Sequence, residues 1–266
     1  MNYWLDQSIK FANQRNYLDE LYKVYPIVPN IRRELTHEQE ERIEALFDER
    51  DNKELIKELL KLELFPLKDS YIPYLRKDPT ALERNPKTVN RIASTLYDMG
   101  IDEIFKKATE PKETNRQMGP MFKNWIDRGF LGFKVFHNVD EFMRNEEDGI
   151  LNVSDAEQKI FAQRYLEYNR EKGLDFVARI NNKYILAEAK FLTDYGGHQN
   201  AQLSDAINTL DECKRISDGR TDIIPLAIID GVVFIKGDNK MYRQLLERNE
   251  DNIVSSLVLR EFLNSL

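Results

Sequence analysis

The chain has 266 residues, 41% hydrophobic and 11% aromatic, enough for a sizeable core and too apolar for a disordered protein. Its formal net charge of −7 counts against an indiscriminate nucleic-acid binder, which presents a basic face. The one cysteine, Cys213, excludes an internal disulfide framework and fits a reducing cytoplasm, and a lone thiol without a partnered base reads as packing. No apolar run approaches the roughly 20 residues that span a bilayer, and the start Met1-Asn-Tyr-Trp-Leu-Asp lacks the features of a signal peptide.

Residues 1–110 read as a helical region. Thr36-His-Glu-Gln39 is a capping-box pattern, followed by Ile43, Leu46 and Phe47 at helical spacing. Leu55, Ile56, Leu59 and Leu60 continue an apolar stripe, which is most simply a core face. Phe65-Pro66 to Pro79 reads as a connector, and Asn85-Pro86 opens a helix that ends at Gly100. Tyr71, Tyr74 and Tyr97 could stack on bases, with packing as the default. Residues 84–134 hold ten basic and six acidic groups, a local excess in an acidic chain. Its cations, among them Arg84, Arg91, Lys106, Lys107 and Lys123, could track a phosphate backbone or form an ordinary solvated face.

The texture changes near residue 111, the expected start of a second region running to 266. Glu113–Arg128 reads as a helix interrupted or re-started around Gly119-Pro120, and Leu131–Phe136 as a short strand. Ser154-Asp-Ala-Glu157 is a second capping box, opening a helix to about Tyr168. Leu174–Ile180 and Tyr184–Phe191 alternate apolar and polar residues as half-buried strands do. Asn181-Asn182 between them suits a two-residue hairpin, because asparagine tolerates positive φ. That turn sets Ile180 against Lys183 and, counting outward, Asp175 against Glu188. Facing carboxylates are destabilising without a cation between them, and Lys190 projects from the same strand face as Glu188. Two acids and a lysine converge on a natural site for Mg2+ and an activated water.

Gly196-Gly197 follows at once, read as a break allowing close backbone approach, then a helix over about His198–Ile216. Its N-terminal N–H groups attract phosphate, and Gln199, Asn200 and Gln202 suit either adenine reading or phosphate anchoring. His198 has no His or Cys partner at metal spacing. Ile223–Ile229 and Val232–Ile235 read as strands about Asp230-Gly231, and 239–248 and 251–263 as terminal helices. Acid-x-Lys also occurs at Asp51-Asn-Lys53, Glu110-Pro-Lys112, Glu212-Cys-Lys214 and Asp238-Asn-Lys240, but only Asp175 and Glu188-Ala-Lys190 fall on adjacent strand patterns. Glu157 and Glu167 are further candidate ligands whose simpler reading is surface acids.

Asp175, Glu188 and Lys190 resemble the D…(D/E)-x-K signature of the PD-(D/E)xK nuclease superfamily, with Leu174 where a proline sometimes stands. Gly173–Arg179, Glu188–Gln202 and Asn115–Trp125 are similar to segments of bacterial type II restriction endonucleases, a likeness covering roughly residues 113 to 210. The resemblance implies an α/β fold, a mixed sheet flanked by helices; the largely helical N-terminal region lies outside it and is expected to supply DNA recognition or dimer contacts. It implies Mg2+-dependent cleavage of double-stranded DNA at a short specific site, with Asp175, Glu188 and the Ala189 carbonyl as metal ligands and Lys190 holding the water. Arg116, Gln117, Lys123 and the Gly196, Gly197, His198, Gln199, Asn200, Gln202 segment become candidate DNA contacts. A homodimer is expected, since two cuts need two sites, and a separate DNA methyltransferase would protect the host in the same bacterial cytoplasm. The alternatives are a repair or recombination nuclease on the same core, such as a junction resolvase or exonuclease, and a non-catalytic DNA-binding protein.

Overall fold

A computed structural model describes residues 2–26, 33–111, 117–249 and 251–266. In chain order the helices and strands are α1 (Tyr3–Ala12), α2 (Tyr17–Val24), α3 (His37–Asp48), α4 (Asn52–Lys61), α5 (Ile72–Lys77), α6 (Ala81–Arg84), α7 (Pro86–Met99), α8 (Ile101–Ala108), α9 (Met118–Asp127), β1 (Lys134–Phe136), α10 (Val139–Arg144), β2 (Gly149–Leu151), α11 (Asp155–Leu166), β3 (Phe176–Ile180), β4 (Lys183–Leu192), α12 (Gly197–Ser217), β5 (Ile223–Gly231), α13 (Lys240–Glu247), β6 (Ile253–Val254) and α14 (Leu259–Asn264). They form two compact units.

The helical unit comprises α3 to α8. Ile43, Leu46, Leu55, Ile56, Leu59, Ile92 and Leu96 make its core, the stripe that helical spacing predicts. Thr36 and Gln39 form the capping box, each side chain bonded to the other's backbone N–H at 3.2 and 3.0 Å. Pro86 starts α7, and Gly100 stops it at φ +81°, a conformation costly for any residue with a Cβ. Tyr97 packs edge-on against Phe47 and donates its hydroxyl to Asn52 Oδ1, whereas Tyr71 and Tyr74 remain exposed. The cations here are largely shared with acids: Arg84 with Asp78 at 2.5 Å, Arg91 with Asp69 at 2.6 Å, Lys106 with Glu103 and Lys107 with Glu110.

The second unit holds the described residues of 2–26 and 117–266 around a six-stranded sheet of order β1-β2-β3-β4-β5-β6. The β2–β3 and β3–β4 pairs are antiparallel and the other three parallel. One face packs Phe176, Ala178, Ile185 and Ala187 against Phe122, Trp125 and Phe262. On the other, Leu192 and Ile229 meet Leu203 and Leu210 of α12, while Leu186 and Val177 meet Phe161 and Cys213. Burial pushes the Cys213 thiol up to about 12, so it packs as an inert apolar group.

Three expectations need correction. The division at 110/111 does not hold, because α1 and α2 belong with the sheet: Leu5 and Ile9 pack on Leu203 and Phe234, and Tyr17, Leu21 and Tyr25 on Phe122. The restart expected at Gly119-Pro120 is present: α9 begins at Met118, with Pro120 in its first turn, where a missing N–H forfeits no intrahelical bond. Val232–Phe234 is a 3-10 turn. Gly231, at φ +94°, reverses the chain where any Cβ would lie 2.0 Å from the Leu192 carbonyl oxygen. Finally, the expected helix over 251–263 begins as strand β6 beside β5, and only Leu259–Asn264 is α-helical.

Asp230 ends β5 without solvent contact. It accepts hydrogen bonds from Tyr25 Oη (2.8 Å), Ser255 Oγ (2.6 Å) and the Ser256 N–H (3.2 Å). Burial pushes its pKa above the ordinary aspartate value, and these donors offset that only in part. The fold therefore takes up a proton here more readily than the unfolded chain. The stability tied to Asp230 is complete below the unfolded-state pKa of about 3.9 and is lost as pH rises through the higher folded-state value. Urea unfolding across pH should show Asp230→Asn gaining on the wild type as pH rises, and Tyr25→Phe should cost about 1–3 kcal/mol.

Candidate active site

The β3–β4 hairpin builds the site. Asn181 and Asn182 take φ values of 49° and 60°, so the turn has the double left-handed form that matches strand twist. The register runs from Ile180↔Lys183 to Phe176↔Ala187, as the two-residue turn predicts. Asp175 lies one residue beyond the last pair, and its N–H donates to the Ala187 carbonyl at 3.1 Å. Its Oδ2 accepts from the Ala189 N–H and from Lys190 Nζ, both at 3.0 Å. Lys190 Nζ also donates to the Ala189 carbonyl at 3.1 Å and touches Glu188 Oε1. The three side chains that spacing singles out thus converge on one ammonium group.

Glu188 is 1% exposed. Lys172 Nζ approaches its Oε1 at 2.6 Å, beside Lys190. Both ammonium groups crowd Oε1, whereas Oε2 has no hydrogen-bond donor. Burial, then the charge of Asp175, pushes the Glu188 pKa up against the pull of the two lysines. For Lys190 burial works downward, but the charges of Asp175 and Glu188 outweigh it, and the ammonium holds its proton more firmly than an ordinary lysine. Two carboxylates, one with an oxygen that has no donor, and the Ala189 carbonyl form a set of hard oxygen donors that fits Mg2+. Among the described residues no three His, Cys, Asp or Glu side chains come together, so the other ligands of such an ion fall to phosphate and water.

Asp175, Ala189 and Lys190 open onto a cleft of about 470 Å³, closed on its other sides by Tyr25 and by Pro120 and Lys123 of α9. The Tsp45I type II restriction enzyme family matches residues 2–266, nearly the whole chain. The chain belongs to that family. It is a type II restriction endonuclease, a hydrolase acting on DNA. No curated protein and no solved structure matches it.

Within this restriction enzyme the remaining sequence-selected residues fall into distinct places. Arg116 and the decoy Lys112 lie outside the described residues. Gln117 caps the start of α9. Lys123 borders the cleft, where its ammonium donates to the Val153 carbonyl at 2.6 Å and to Asp155 at 2.5 Å. Glu157 is taken up by the capping box with Ser154, and Glu167 ends α11 at φ 60°, so each has a structural task. The other decoys lie away from paired strands, Asp51 as the cap of α4 and Glu212 and Lys214 within α12.

The Gly196–Gln202 segment differs from its expected form. Gly196 has φ −65° and Gly197 is not among the positive-φ glycines, so neither needs glycine's special conformations. A Cβ on Gly196 would meet only the Asp194 carboxylate, and one on Gly197 would meet open space. Gln199 is buried, with its Oε1 accepting the Thr193 N–H and its Nε2 donating to Thr193 Oγ1, so it ties the loop instead of facing nucleic acid. Asn200 donates to the Tyr195 and Gly196 carbonyls, and exposed His198 contacts Gln202 at 3.1 Å.

Sequence reasoning missed Lys172, Asp205 and Arg170 around Glu188. Their only trace is a cation-rich Arg170-Glu-Lys172 just before Asp175. Gln199→Ala should lower stability by about 1–2 kcal/mol in urea unfolding and leave sequence preference unchanged. Gly197→Ala should keep or raise the melting temperature, since it adds no contact and restricts the unfolded chain.

Proposed function

We propose that this enzyme hydrolyses phosphodiester bonds of double-stranded DNA at a short specific sequence with Mg2+, through Asp175, Glu188 and Lys190 of a PD-(D/E)xK core. The observation that carries the reading is the meeting of two carboxylates and a lysine at the ends of β3 and β4, beside a cleft. Asp175, Glu188 and the Ala189 carbonyl would hold the ion. When bound, the ion polarises the phosphoryl oxygen and lowers the pKa of a water ligand. Lys190, whose proton Asp175 and Glu188 hold firmly in the ion-free site, would hold or help deprotonate the attacking water and offset the charge growing on the phosphate. Asp175 orients Lys190 through the 3.0 Å contact, and the Ala189 N–H holds Asp175 in turn.

The reading extends to a homodimer, because a cut in each strand calls for two such sites, and to a separate methyltransferase guarding host DNA. The helical unit, with Tyr71 and Tyr74 exposed, would supply recognition or dimer contacts. Lys123 at the cleft and the Gly196–Gln202 segment, except Gln199, remain candidate DNA contacts, along with Gln117 and Arg116. No helix among the described residues is long and apolar enough to cross a membrane, and a DNA substrate suits the bacterial cytoplasm.

A plasmid digest with and without Mg2+ tests the function. Discrete bands that vanish with EDTA are expected, whereas cleavage confined to ends or branched DNA would point to a repair nuclease. Asp175→Asn, Glu188→Gln and Lys190→Ala should each leave less than about a tenth of wild-type cleavage, a barrier rise above roughly 1.4 kcal/mol, while the fold persists. Glu110→Gln should cleave normally, since its carboxylate pairs with Lys107 at the end of α8, in the helical unit and away from the paired strands. A dead Glu110→Gln enzyme would move the active site elsewhere.

A further inference from the structure

Beyond the three signature residues, a second lysine occupies the buried carboxylate. Lys172 lies on the loop between α11 and β3, and its Nζ bridges Glu188 Oε1, at 2.6 Å, and Asp205 Oδ2 on α12. The base of the loop is clipped to the same helix. Arg170 pairs with Asp205 at 3.3 Å and donates to the Thr209 hydroxyl, which itself bonds the Asp205 carbonyl at 3.1 Å. The Lys172 and Asp205 side chains are 30% and 36% exposed, against 1% for Glu188. The lysine therefore has one partner in the interior and another at the solvent edge, joined by a flexible stem on an anchored loop.

The charges linked by these ion pairs balance without any ion. Asp175, Glu188 and Asp205 are three carboxylates, and Lys190, Lys172 and Arg170 are three cations. A desolvated carboxylate is costly unless paired, and Lys172 supplies Glu188 with a charged partner on Oε1 while Oε2 stays without a donor. A divalent cation brought to Asp175 and Glu188 would leave a surplus of positive charge, relieved in two ways: Lys172 withdraws to Asp205, or a DNA phosphate enters.

We infer that Lys172 is a positioning residue that fills the Glu188 end of the site until a divalent cation arrives with its phosphate, and that Asp205 is the seat to which it withdraws. The inference depends on the proposed metal ligation by Glu188. It makes Lys172 a brake on loading the ion in the absence of DNA, so that the ion and the substrate assemble together.

The two partners of Lys172 predict shifts of opposite sign, which a merely structural role for both residues would not produce. Mn2+ is titrated calorimetrically into the full-length, DNA-free protein, with thermal unfolding followed in EDTA. Lys172→Met should unfold at a lower temperature in EDTA yet bind Mn2+ about threefold to tenfold more tightly, a fraction of the full Coulomb effect because the lysine reaches solvent. Lys172→Gln serves equally if the methionine variant folds poorly. Asp205→Asn should bind Mn2+ about threefold more weakly, because the ammonium is left on Glu188. Lys172→Arg should stay near wild type.

Unchanged or weaker Mn2+ binding in both Lys172→Met and Lys172→Gln overturns the inference, as do shifts of the same sign in the Lys172 and Asp205 variants. So does an absence of Mn2+ binding in wild type and Lys172 variants alike. Glu188→Gln separates the two levels. If it binds Mn2+ as tightly as wild type and still cleaves DNA, the metal-site reading itself falls. If it loses both while the Lys172 variants behave like wild type, only the role given to Lys172 falls.

Discussion

The register of the β3–β4 hairpin is the constraint on which the site depends. Two asparagines in the left-handed region close the turn in two residues, and every pair from Ile180↔Lys183 to Phe176↔Ala187 follows. A one-residue slip would turn Glu188 and Lys190 to the other face of β4, and it would move Leu186 and Leu192 out of the cores they fill. Packing on both faces of the sheet and the chemistry on its two central strands are therefore held by the same pairing. The parallel β4–β5 ladder adds a second restraint, because Lys190 pairs with Ile229 and its neighbour Phe191 with buried Asp230.

Electrostatics at that site are local and nearly self-contained. Glu188 is deep enough that its charge needs partners, and both lie close at hand: Lys190 from its own strand, Lys172 from the loop preceding Asp175. The rest of the molecule handles charge in the ordinary way, with exposed pairs such as Arg84 with Asp78 that contribute little stability each. The basic excess over residues 84–134 looks different for that reason. Its members fall in both units, and Arg84, Arg91, Lys106, Lys107, Lys123 and Lys134 each face an acid, so the stretch is no continuous bare stripe.

The loop after β4 shows how residue type alone can suggest the wrong task. Two glycines and a run of amides invite a reading as a nucleic-acid contact. The glycines here adopt ordinary backbone angles, and Gln199 turns inward to hold Thr193. Gly231 and Gly100 are among the glycines whose conformation the fold requires, one against the Leu192 backbone and one at the end of α7.

Local patterns alone determined a good part of this protein. Period-two alternation and the Asn181-Asn182 turn placed the hairpin and hence the Asp175, Glu188, Lys190 trio, and the capping boxes at Thr36 and Ser154 marked two helix starts. These signals are legible because turn chemistry, caps and strand alternation act over a few residues. Tertiary structure decided what depends on distant partners. Helices α1 and α2 join the sheet through contacts more than a hundred residues away, such as Tyr25 with Asp230 and Ser8 with Ser255. Ile253–Val254 becomes a strand only because β5 offers it an edge. Lys172 and Asp205 meet at Glu188 because α12 packs across β4, and the burial that makes that charge need them exists only once the helix is in place.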